Sequence, residues 1–227
     1  MTAGPYQQKR KSSVSSVGEE RSNETSPSPI ATVERVSPPQ AQLLLQDALA
    51  REGEAYGMLL DGEPERARKP LLDAAELYRR SWEAAGARSY GRLIGMLKAA
   101  VLAGGGGQEA AYLRRQLGPE VDSPVASYAL ALAALVAGDD EGARAGAAGM
   151  RDDSDAFART AEAIEALADR DGARYAGAVT AIVADFEARD RHLTGVAIAD
   201  TALVLERIAA GRGIAADLTS TQLPTLI

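Results

Sequence analysis

From Pro38 onward the apolar residues recur every three or four positions, and each run of them stops at glycine, proline or aspartate. Leu71, Ala74, Ala75, Tyr78 and Trp82 make the clearest stripe. It follows the turn Leu60-Asp61-Gly62-Glu63-Pro64. There Gly62 can end one helix in a left-handed conformation, and Pro64 suits the first turn of the next. Pro70 falls either in a late first turn or at a kink near Ala67. The same reading predicts helices over 41–60, 64–85, 89–103, 108–117, 124–137, 141–150, 155–168, 173–188 and 197–210. Gly53 and Gly57 are expected to let the second helix approach the first closely. Asp122-Ser123-Pro124 reads as a capped helix start, and Ser154 as a second cap. Val125 to Ala137 is apolar nearly all round and should be central. The next helix, with Gly142, Gly146 and Gly149, is either irregular or packed too tightly for anything but small residues.

The pattern predicts an all-α fold, with antiparallel hairpins stacked as a short α-solenoid of eight or nine helices. Residues 39–214 form this helical-repeat domain. Residues 1–38, rich in Ser, Pro, Glu and Gln, are predicted to be a disordered tail. Residues 215–227 form a C-terminal tail that either docks loosely or stays mobile.

Composition narrows the chemistry. Aromatic residues make up 4% of the 227, so alanine and leucine must carry the packing. There is no cysteine, which excludes disulfides and thiolate sites. A net charge of −7 argues against nucleic acid as a partner. No apolar run reaches the roughly 20 residues of a membrane span. No leader-like apolar stretch follows the N-terminal basic residues, so the expected compartment is the cytoplasm.

Three turns look alike: those leading to Ala67, to Ala143 and to Ala176. The last two alanines are 33 residues apart, and the first two are 76 apart, with Ala111 a candidate between them. Gly62, Ala67, Leu71 and Ala74 resemble the second half of a tetratricopeptide unit, which has about 34 residues. Arg51 and Ala55 do not supply that unit's first-helix residues, so the resemblance is to a degenerate repeat. It implies a protein-binding scaffold. Ala161 to Ile214 is also similar in layout to the C-terminal part of the immunity protein 49 family. An alanine-rich helix, an acidic turn, a Tyr-led helix, a polar loop and a final helix ending Arg-Gly-Ile follow one another. That resemblance implies an all-α protein that neutralises a toxin by binding it.

Candidates for catalysis are few. His192 is the only histidine, close to Asp185, Glu187 and Asp190, so any enzyme or metal site would be built around it. Glu162 and Glu165 share a helix face but lack the Glu-x-x-His pairs of di-iron bundles. The run Gly104 to Gly107 follows a helix and lacks the Gly-Lys-Ser/Thr of a phosphate loop, so it reads as a linker. No cofactor is expected. The best candidate surface is a partner-binding one: Tyr78, Arg79, Trp82, Arg88, Tyr90 and Arg92, aromatics flanked by arginine. The stretch Pro64 to Lys98 has eight basic and four acidic residues, against seven basic and thirteen acidic in Asp139 to His192. The function expected is therefore a non-catalytic module that binds another protein or peptide. The alternatives are a toxin-neutralising immunity protein and a small enzyme or metal site around His192.

Overall fold

The alanine-rich stripes form helices that pack face to face. The computed structural model describes residues 38–118, 121 and 123–224. Among them nine helices and no strand occur: α1 Pro38–Leu60, α2 Pro64–Ala85, α3 Gly91–Leu102, α4 Gly107–Leu117, α5 Pro124–Ala137, α6 Asp140–Ala148, α7 Asp155–Asp169, α8 Gly172–Glu187 and α9 Asp200–Arg212. The tail predicted for residues 1–38 lies outside the described residues, Pro38 apart.

Helix ends follow the turn chemistry. Gly62 is left-handed, and Glu63 N–H donates to the Met58 carbonyl at 2.9 Å, closing α1. Pro70 sits inside α2, which continues through it to Ala85. Ser154 caps α7 by accepting from Phe157 N–H, and Asp139 and Asp171 cap α6 and α8 in the same way. Ser123 differs: it precedes Pro124, but its side chain makes no capping bond. Asp122 lies outside the described residues.

Neighbouring helices stack in sequence, most extensively α1 on α2, α2 on α3, α5 on α6 and α7 on α8. This is a solenoid-like arrangement, with one addition. The last helix, α9, turns back to pack on α3, and also touches α7 and α8. Helix α5 is central, as its composition requires: Ala126 to Ala129 and Ala131 to Leu135 are all buried. The glycines of α6 reflect close packing rather than irregularity. A Cβ at Gly146 would meet the Ala131 backbone at 2.8 Å.

The close approach of α2 expected at the α1 glycines is corrected. A Cβ at Gly57 would meet nothing within 4 Å, and Gly53 faces the α8–α9 loop instead of α2. The Thr194 carbonyl oxygen stands 3.0 Å from where a Gly53 Cβ would be. The glycine therefore admits a loop and not a helix.

Arg212, at the end of α9, joins four helices. Its side chain is only 9% exposed. Nη1 donates to Asp140 Oδ1 at 2.6 Å and to the Leu167 carbonyl at 3.0 Å, and Nη2 donates to the Leu135 carbonyl at 3.1 Å. Both carbonyls lie in the last turns of their helices, where a cation is favoured. The tail that follows is docked. Ala216 and Asp217 N–H groups donate to the buried Glu206 carboxylate, and Ala199 N–H donates to the Gln222 carbonyl at 2.9 Å.

Candidate functional site

Glu52 lies on the inner face of α1 and is 4% exposed. One carboxylate oxygen accepts from the Tyr56 hydroxyl at 2.9 Å, and the other accepts from the Tyr78 hydroxyl at 2.6 Å. Tyr56 is one turn further along α1. Tyr78 reaches Glu52 from α2 because residue 95 of α3 is glycine: a Cβ there would meet the Tyr78 ring at 2.7 Å. Beside them, Lys98 of α3 is buried and donates to Asp200 Oδ2 at 2.9 Å and to Thr201 Oγ1 at 2.8 Å, both on α9. Four helices thus place a carboxylate, an ion pair and two phenols together in an otherwise apolar interior.

This cluster is the wall between two cavities. Glu52, Lys98, Leu193 and Asp200 line both. The larger, about 610 Å³, is lined by the apolar Leu45, Leu49, Ile94 and Val125 and by Arg88 and Arg92. The smaller, about 280 Å³, is lined by Arg159, Asp185, Arg189 and His192. Leu193 belongs to the α8–α9 loop and is 82% exposed. The loop that carries it rests on α1 at Gly53.

Burial pushes the Glu52 carboxyl up to about 7. Asp200 adds to the rise, while Tyr78, Tyr56 and Lys98 act against it. Burial also opposes the charge of Lys98, but Asp200 and Tyr128 outweigh it and raise the Lys98 pKa. Tyr78 is raised by burial and then by Glu52, so its hydroxyl stays a donor. A consequence for stability follows. Glu52 binds its proton more tightly folded than unfolded, so the folded state is favoured below the ordinary carboxyl value of 4.5. That advantage is lost as pH rises from there through about 7. Denaturant titrations between about pH 4 and pH 8 should show the wild type losing roughly 3 kcal/mol relative to Glu52→Gln. A flat difference across that range would remove Glu52 as a buried acid.

The six residues expected to form a binding surface divide. Tyr78 and Trp82 are 2% and 8% exposed, so of the two roles an apolar stripe allows, core or exposed anchor, both take the core one. They sit on the face of α2 that packs inward. Trp82 stacks on Tyr90 with ring centroids 6.1 Å apart, and its indole N–H donates to Gln116 Oε1 at 3.4 Å. Arg79 is held on the outer face of α2 by Glu76 and Glu83. Tyr78, Arg88, Tyr90 and Arg92 do converge, on the larger cavity. Arg92 Nε donates to Ser81 Oγ at 2.7 Å, and the Ser81 hydroxyl donates to the Ala41 carbonyl.

Two of the three carboxylates around His192 are committed elsewhere. Asp185 pairs with Arg159 and Arg189, each at 2.5 Å, and Glu187 accepts from the Ser220 hydroxyl at 2.6 Å. His192 stacks on Phe186. Among the described residues no three His, Asp or Glu side chains are grouped as a metal site requires. Glu162 and Glu165 are bound by Arg151 and Arg174.

Glu52, Lys98, Asp200 and Thr201 are absent from the surface read off the sequence. Two signals point to them. Lys98 interrupts a helix that is otherwise apolar on every side between Leu93 and Val101, apart from Gly95, and Glu52 stands one turn before a tyrosine in an alanine stripe.

Comparison of the chain with protein-family models, curated proteins and solved structures gives no match. No helix among the described residues is long and apolar enough to cross a membrane.

Proposed function

We propose that this chain is a non-catalytic helical module of the cytoplasm that binds another protein through a segment seated in the larger cavity. The observation that carries this reading is the convergence of α1, the α2–α3 turn, α3 and the α8–α9 loop on one cleft of about 610 Å³. Its lining combines apolar residues with Arg92, the combination that anchors a partner's apolar and acidic side chains. The cleft is of the size that holds a few side chains, and much of its lining comes from helices α1 and α3, so little ordering of those walls opposes binding.

The test is affinity capture with the full chain, followed by mass spectrometry, run on three proteins in parallel. Leu49→Glu places a charge on the apolar wall. Arg79→Glu alters a surface outside the cleft. A partner retained by the wild type and by Arg79→Glu, but reduced more than about tenfold by a folded Leu49→Glu, is the expected result. Equal capture by Leu49→Glu, or no specific capture at all, overturns the reading.

A further inference from the structure

Two charged groups bordering the larger cavity lack the partner that their burial calls for. Glu52 accepts two phenol hydrogen bonds, but among the described residues no cation lies within hydrogen-bond distance of it. Each of its oxygens keeps a second lone pair. Lys98 is near, yet its ammonium is taken by Asp200 and Thr201. When ionised, Glu52, Lys98 and Asp200 together carry one net negative charge. At the other end, Arg92 is half-buried and meets only the Ser81 hydroxyl. No carboxylate pairs with it among the described residues, and burial lowers its pKa. Leu45, Leu49 and Ile94 line the same cavity.

We propose that the cleft recognises a free protein N-terminus, with its ammonium group seated on Glu52, an apolar side chain on Leu45 and Leu49, and a carboxylate side chain two residues on paired with Arg92. The inference rests on the reading of the cleft as a peptide-binding site and deepens it. The scale of the site is set by α3, where Arg92 lies six residues, about 9 Å of helix, before Lys98, which borders the cavity with Glu52. In an extended segment, the first and third residues are about 7 Å apart and point to the same side, leaving the second to the opposite wall. A glutamate side chain supplies the remaining reach. The ammonium is desolvated beside Tyr78 and offsets the unpaired negative charge, so removing its charge leaves Glu52 buried without a counter-ion.

The groups facing Glu52 are Tyr56 on α1, Tyr78 on α2, Lys98 on α3 and Asp200 on α9. The phenols stay protonated and Lys98 keeps its charge through neutral pH, while burial brings the Glu52 carboxyl up to about 7. An incoming ammonium therefore selects the ionised carboxylate.

The experiment is calorimetric titration of the full chain with a synthetic peptide amide beginning alanine, leucine, glutamate. The same peptide is also used with its N-terminus acetylated and, separately, with glutamine for glutamate. Binding is expected to weaken more than about tenfold on acetylation and severalfold on the glutamine change. It should strengthen about fivefold from pH 6 to pH 7, below the titration of the peptide's own amine near 8. His192→Gln should keep that pH response and Glu52→Gln should lose it. Acetylation without effect overturns the proposal using unaltered protein, whatever the variants do. If none of the peptides binds while a protein is still captured in a Leu49-dependent way, the N-terminus proposal falls and the cleft reading stands. If capture fails too, both fall.

Discussion

Trp82→Ala lowers the unfolding free energy by about 3–5 kcal/mol. The indole fills the junction of α2, the α2–α3 turn and α4, stacking on Tyr90 and donating to Gln116. No neighbouring aromatic can replace it, because the chain has only two phenylalanines and seven tyrosines in all. Truncation leaves a cavity among helix backbones that alanine-rich packing has little freedom to close. Urea denaturation followed by far-ultraviolet circular dichroism measures this directly. A loss below about 1 kcal/mol would place Trp82 at the surface, against its burial in the structure. Because Trp82 supports Tyr90 and the Arg88–Arg92 turn, ligand affinity should fall as well, but only as far as the turn is displaced.

Arg212→Ala costs about 3 kcal/mol, measured in the same way. The guanidinium ties Asp140 to the ends of α5 and α7, and its removal leaves a carboxylate and two helix-terminal carbonyls without their donor. The value sits at the low end of the range for buried ion pairs because Asp140 is partly exposed and water can reach it. Arg212→Lys keeps the charge but not the fork, and recovers only part of the loss. An unchanged midpoint for Arg212→Ala would show that α9 is held by its apolar face and the Lys98 contacts without this guanidinium.

The helices are legible in the sequence because their apolar stripes and turn residues are local signals. The Gly62-Glu63-Pro64 turn and the Ser154 cap can be read from a few adjacent residues, and both occur as read. The site is not legible, for the opposite reason. Lys98 and Asp200 are 102 residues apart, and in sequence each looks like an ordinary solvated charge. Trp82 and Tyr78 point inward, a choice that helical spacing alone does not make, since it gives a stripe but not the side that is covered. Gly53 suggests a neighbouring helix and serves a loop, because glycine marks a close approach without naming what approaches. The arginines at 88 and 92 can be found because aromatic and basic residues cluster around the α2–α3 turn, and the turn brings that short segment to one place.

The return of α9 onto α3 bears on how the protein is made. Pairing between successive helices has low contact order and can form as the chain emerges. The Lys98–Asp200 contact cannot form until residue 200 is available, so this part of the cleft wall is completed late. A nascent or truncated chain ending before α9 would keep most of its stacked hairpins but would leave Lys98 without Asp200, so that corner of the cleft stays unfinished until α9 is in place.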